Sequence, residues 1–240
     1  MKGINLLKHD IKNISRDFIL FMLLPVPVVL AVLLKIGLPY ISQLTSQWID
    51  LYSFSPLILI FLIVMGPLLT GLVSGLMLVD EGDEKIISAI AVTPLGKNGY
   101  LFYRLTAPFL WTFFILLPVP LLSGLAEIPY LYYIPIILTA SFGAPLEALL
   151  IAVLARNKME AMAMGKVTGV LFIAPFISWF APASWKFFTG ILPGFWVSES
   201  YFNKVDGGFI FPAYIGAGLL IHVFFIFLLL KKYNLRVDQV

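Results

Sequence analysis

Six times along this chain a stretch of about twenty predominantly apolar residues recurs, the length a helix needs to cross a bilayer. The runs lie at 18–38, 56–79, 105–125, 130–154, 163–180 and 211–230. Hydrocarbon offers no partner to a bare backbone N–H or C=O, so a spanning segment closes its hydrogen bonds internally, as a helix or within a closed barrel. These runs are continuous and lack the alternation of a lipid-facing strand. The expected fold is therefore all-α: one integral membrane domain, residues 1–240, with six transmembrane helices. The composition agrees, being 60% hydrophobic and 12% charged, against about 25% charged in soluble domains. No polar stretch is long enough for a large soluble domain.

Basic residues set the expected orientation. With both termini cytoplasmic, that side holds 13 of the 16 Lys and Arg, and Lys35, Lys186 and Lys204 are left outside. This bias accounts for the net charge of +3 without invoking nucleic acid. There is no cysteine, which excludes disulfides and thiol chemistry. The first seventeen residues carry Lys2, Lys8, Asp10, Lys12, Arg16 and Asp17, and no small-residue cleavage site follows the first apolar run, so that run is read as an uncleaved span. Ile4, Leu7, Ile11 and Ile14 recur in steps of three and four opposite Lys8 and Lys12. The pattern predicts an amphipathic helix over 1–17 in the cytoplasmic interface, against the lipid headgroups, with a frayed basic leader as the alternative.

Pro25 and Pro27 remove backbone donors from span one and predict a kink. Tyr40, Trp48 and Tyr52 suit an aromatic belt on the outer side. Gly71 and Gly75 in span two form a small-xxx-small pair that either admits a close helix or is incidental. Residues 181–210 mix Trp and Phe with Gly and Pro. They are too interrupted to span, and predict a hairpin before span six that dips into the outer leaflet or caps the bundle.

The long interior segment at 80–104 is densely charged and lies between two spans, on the cytoplasmic side. Asp80, Glu81, Asp83 and Glu84 cluster at its start, Ile86, Ile87 and Ile90 follow, and Pro94 breaks the run. Asp80 suits the N-cap of a short helix with Glu81 and Asp83 in its first turn, where carboxylates complement the dipole. The expectation is a short amphipathic helix at the membrane surface, or else a solvated connector whose isoleucines lie on headgroups.

The succession Asp80-Glu81, Ile86-Ile87-Ser88-Ala89-Ile90, Val92-Thr93-Pro94-Leu95, Gly99-Tyr100-Leu101 and Arg104 resembles the loop between spans two and three of type-2 ABC transporter permeases. The likeness extends to the interfacial N-terminal helix, the six spans and the broken hairpin before the last. The chain departs from the pattern at Gly82-Asp83, where members of that family carry a basic residue. The run Gly143-Ala144-Pro145-Leu146-Glu147 through Glu160-Ala161 and Lys166 looks most like drug-export members, including fluoroquinolone-export-type permeases. The resemblance implies the plasma-membrane half of an ATP-driven exporter for a drug-like, lipid-like or other amphiphilic substrate. It implies a coupling helix docked on an ATP-binding subunit, and a second, identical or different, permease subunit. Its partner contact would come from Asp80, Glu81, Asp83, Glu84, Ile86, Ile87, Ile90 and Pro94, the isoleucine face and Glu81 foremost. No G-x-x-x-x-G-K-[ST] occurs: Gly165-Lys166 precedes Val167 and lacks the upstream glycine. ATP and magnesium are thus expected in a separate chain, with no cofactor here.

Charge inside the membrane is costly and marks candidate sites. Glu147 in span four and Lys166 in span five stand at comparable depths, which suggests an ion pair, or a carboxylate on the transport path. His222 in span six is either a proton or substrate site or a histidine bonded to a backbone carbonyl. No enzyme motif occurs. Two other readings use residues 80–84 differently: a lipid-modifying enzyme with a metal site at Asp80–Glu84, or a membrane scaffold recruiting a cytosolic protein.

Overall fold

The computed structural model describes residues 22–84 and 96–237, together with Ile86, Ile90 and Pro94. The helix expected over 1–17, the start of span one and Ile87 lie outside the described residues. Among those described the chain is helical, with six helices or helix pairs long and apolar enough to span a bilayer.

Span one is α1, Val26–Thr45, entered through a turn at Leu24 and Pro25, where the kink is expected. Span two is α2, Ser55–Asp83, preceded by a 3-10 turn at Leu51–Phe54. Span three is α3, Gly96–Leu116, continued by the short α4, Val119–Ser123. Span four joins α5, Tyr130–Ser141, to α6, Gly143–Leu154. Span five joins α7, Lys158–Thr168, to α8, Ala174–Phe180, through a 3-10 turn at Gly169–Ile173. A hairpin of α9, Ala183–Thr189, and α10, Pro193–Val205, precedes span six, α11, Phe211–Val237.

Prolines place the breaks. Pro145 has no N–H for the Ser141 carbonyl and its ring crowds that group, so span four opens at Phe142. Pro118 and Pro120 act likewise where α3 ends, and Pro175 where span five tightens to a 3-10 turn.

Spans two and four form the centre. Of their most apolar windows 67% and 72% of residues are buried, against 11% for spans one and six. Small residues explain the choice. A Cβ on Gly71 would lie 2.5 Å from Glu147 Cβ and 2.7 Å from the Ala144 carbonyl oxygen; one on Gly75 would lie 2.9 Å from Ile151 Cβ. Span four answers with Ala144, Ala148 and Ala152, four residues apart and all buried. The small-xxx-small pair of span two is thus a contact face, and the two helices meet nearly backbone to backbone. Leu116 of span three fits where Gly66 lacks a side chain, and Leu72 packs at Gly165 of span five.

The hairpin is more deeply integrated than a surface cap. α10 packs along α11 and buries Phe195, Val197, Tyr201 and Phe202. Glu199, also buried on α10, accepts hydrogen bonds at 2.6 Å from both the Ser178 hydroxyl and Lys186 Nζ. Span five, α9 and α10 are thereby stapled together.

Candidate functional site

At the end of the bundle that holds most of its basic residues, residues 80–104 connect spans two and three. Asp80, Glu81 and Asp83 do not begin a new helix. α2 runs unbroken through Asp83, so Asp80 and Glu81 occupy its last turn and cap no coupling helix. A helix C-terminus disfavours anions, and among the described residues two cations offset the penalty. Arg104 of α3 forms a buried ion pair with Glu81. Tyr100, one turn earlier, donates its hydroxyl to the same carboxylate and accepts from Arg104 Nε at 3.0 Å. Lys158, at the start of span five, pairs with Asp80 at 2.7 Å.

Span six closes the junction. Arg236 donates to the carbonyl oxygens of Ala152, Val153 and Ala155 at 2.9, 3.2 and 2.6 Å, capping the end of span four. Lys97 donates to the Asn234 carbonyl at 3.3 Å. Span five begins at Lys158 because Asn157 accepts from the Glu160 N–H at 3.0 Å while the Glu160 carboxylate accepts from the Arg156 N–H at 2.8 Å. Every span from two to six is tied into this end by a side chain.

Between these anchors, Ile86 and Ile90 are helical and half-buried, and Ile90 packs on the apolar cluster that contains Val79, Tyr100, Leu101 and Tyr233. Apolar side chains at this level gain more from the bundle than from water. The isoleucine face is thus turned at least in part inward, and Glu81 is buried. Among the described residues of the segment, Gly82, Asp83, Glu84, Pro94, Asn98 and Phe102 are exposed. The four carboxylates do not converge, since Asp80 and Glu81 are bonded to different cations. Among the described residues no group of three or more His, Asp or Glu is placed to hold a metal ion, so the metal site of the lipid-modifying reading has no support.

The intramembrane residues separate differently from expectation. Glu147 and Lys166 form no ion pair among the described residues. The buried face of α7 is set by Ala161 and Thr168, seven residues apart. Lys166, two residues before Thr168, lies about 200° round the helix from it and is exposed. Glu147 instead borders a cavity shared with His222 at the break of span four. Both are 2% exposed. The bond to a backbone carbonyl is present at His222: Nδ1–H donates to Gly218 O at 2.7 Å. Nothing in the linear pattern announced the Arg104, Lys158, Arg236 and Glu199 contacts, whose partners lie 21–84 residues away or on another helix. The Asn157–Glu160 capping pair was the one local signal.

Residues 10–230 match a family model described as "Fluoroquinolones export permease protein Rv2686c-like". The chain is 27% identical over 235 residues to "Fluoroquinolones export permease protein MT2760" of Mycobacterium tuberculosis strain CDC 1551 / Oshkosh. It is equally similar to "Fluoroquinolones export permease protein Rv2686c" of strain ATCC 25618 / H37Rv, and in both cases the alignment covers 95% of this chain and 92% of the relative. No solved structure matches.

Proposed function

The chain belongs to the Rv2686c-like family of fluoroquinolones export permeases, and from that premise we propose that it is the membrane subunit of an ATP-driven drug exporter. Its substrate is a fluoroquinolone-like amphiphile, its ATPase is a separate chain, and two six-span bundles enclose the path. Both termini face the cytoplasm, which puts 13 of the 16 basic residues on that side.

The observation that carries the reading is the construction of the 80–104 junction. An exposed acidic segment is held at each end by buried, charge-locked helix termini. Force applied to it by a closing ATPase is delivered to α2 at Glu81 and to α3 at Arg104. α2 then acts as the lever. About 15 Å along it, at 1.5 Å per residue, Gly71 touches Glu147, and one turn further Pro67 borders the cavity. The docking contact falls to Asp83, Glu84 and Pro94, with Ile86 and Ile90 holding the segment against the bundle.

Purification of the chain from its native membrane tests this reading. An ATP-binding protein is expected to co-purify, to be lost on charge reversal by Asp83→Lys with Glu84→Lys, and to survive Gly37→Ala in α1, where a Cβ meets nothing within 4 Å. Intact chain recovered without any ATP-binding partner overturns the proposal. Loss of the partner only with Ile86→Ser and Ile90→Ser, in protein that stays folded, returns the contact to the isoleucine face.

A further inference from the structure

The cavity at the break of span four has a chemistry more specific than its size suggests. It lies where spans two, four and six meet the first turn of α10, and Val64, Pro67, Gly143 and Val197 supply part of an otherwise aliphatic wall. Its volume is about 40 Å³, room for one small polar head. Two ionisable side chains face it, and both present acceptors. The Nδ1–H of His222 is committed to Gly218 O, which fixes the tautomer of the neutral ring and leaves Nε2 as a lone pair. A Cβ on Gly143 would stand 3.9 Å from that Nε2. Glu147, one turn along the same face of α6, has an Oε2 that is buried without a hydrogen-bond partner. Among the described residues no Lys or Arg lines the cavity.

A buried carboxylate lacking a counter-charge is unfavourable, and a ligand that brings positive charge and N–H groups removes the penalty. An anion is repelled by Glu147. A metal ion finds two protein donors and aliphatic walls, too few for any common coordination shell. A quaternary ammonium brings charge but no N–H to meet Nε2. We propose that this cavity recognises a primary or secondary ammonium group carried on an apolar body, with Glu147 as counter-ion, His222 Nε2 as second acceptor and the aliphatic wall against the carbons. As a transport site it rests on the exporter reading. As a binding site it is a property of this chain alone.

Binding is therefore measured on the full chain in lipid nanodiscs with no ATPase present. The probes are dansylcadaverine, a fluorescent primary amine, and its N-acetyl derivative, which keeps the body and loses the charge. Wild type is expected to bind the amine at least about tenfold more tightly than the amide, the scale of one charge-assisted hydrogen bond. Glu147→Gln should bring the amine to the affinity of the amide, and His222→Leu should weaken it several-fold. Should Glu147→Gln fail to fold, Val197→Leu, which fills the cavity without touching either acceptor, is expected to weaken the amine by a similar factor. Equal binding of amine and amide by wild type overturns the proposal. So does amine affinity unchanged in both Glu147→Gln and Val197→Leu. Neither result touches the exporter reading, which stands or falls on the co-purifying ATPase.

Discussion

Gly71→Val is expected to leave no folded protein in the membrane, the largest effect of any single exchange at the small residues between the spans. The new Cβ alone would be 2.5 Å from Glu147 Cβ and 2.7 Å from the Ala144 carbonyl oxygen. The second of these is a backbone atom and cannot turn away by changing rotamer. Relief requires spans two and four to move apart, and they are the two most buried spans of the bundle. Overpacking a tight core costs about 1–3 kcal/mol where side chains can adjust, and more where backbone must shift. Separation of these spans also breaks the contact of Gly75 with Ile151, one turn away on the same face. The measurement is the fraction of monodisperse protein after detergent extraction and its thermal midpoint. Gly37→Val is the reference, because nothing lies within 4 Å of a Cβ there. Gly71→Ala should fall between the two. Equal midpoints for Gly71→Val and Gly37→Val would show that the spans are not in close contact.

This contact also marks how far the linear pattern carries. The spans could be read because a bilayer admits few alternatives to an apolar helix, and span four, Tyr130–Leu154, lies where the run of apolar residues puts it. The Gly71–Gly75 spacing was visible, but its meaning depended on Ala144 and Ala148 facing it, which no local pattern states. Depth-matching of Glu147 with Lys166 used one coordinate where two are needed. Rotation about the helix axis, set by burial of Ala161 and Thr168, turned Lys166 away. The acidic cluster looked like the beginning of a helix because carboxylates favour that end. In the structure its cost at the end of α2 is met by Arg104 and Lys158, which fold up against it from 23 and 78 residues further along the chain. Span five starts earlier than its apolar run because Asn157 and Glu160 cap it among polar residues. Glu199 had no signal at all: its partners Ser178 and Lys186 are brought to it by the packing of α8 and α9.

Arg104→Met should destabilise the protein by about 3–5 kcal/mol, the range for removing one partner of a buried ion pair. The Arg104 and Glu81 side chains are 7% and 11% exposed, so water does not take over for the missing guanidinium. Glu81 would keep the Tyr100 hydroxyl as a bond donor but lose the Arg104 guanidinium, and Tyr100 would lose the Arg104 Nε–H it accepts. Glu81→Leu leaves the converse defect, a buried cation. The double variant Glu81→Leu/Arg104→Met leaves neither charge and replaces the pair by apolar groups of similar size. Such exchanges are often neutral or stabilising, so its thermal midpoint should recover most of the loss seen in either single variant. On the exporter reading proposed above, drug export by cells carrying the double variant together with an ATPase subunit should nevertheless stay low, because the two ends of the 80–104 segment are then no longer locked to each other. Stability and export thus part company in one protein. If Arg104→Met melts with the wild type, the pair is not buried. If the double variant both folds and exports normally, the ion pair holds the fold without transmitting force, and the lever begins further along α2, at the Gly71–Glu147 contact.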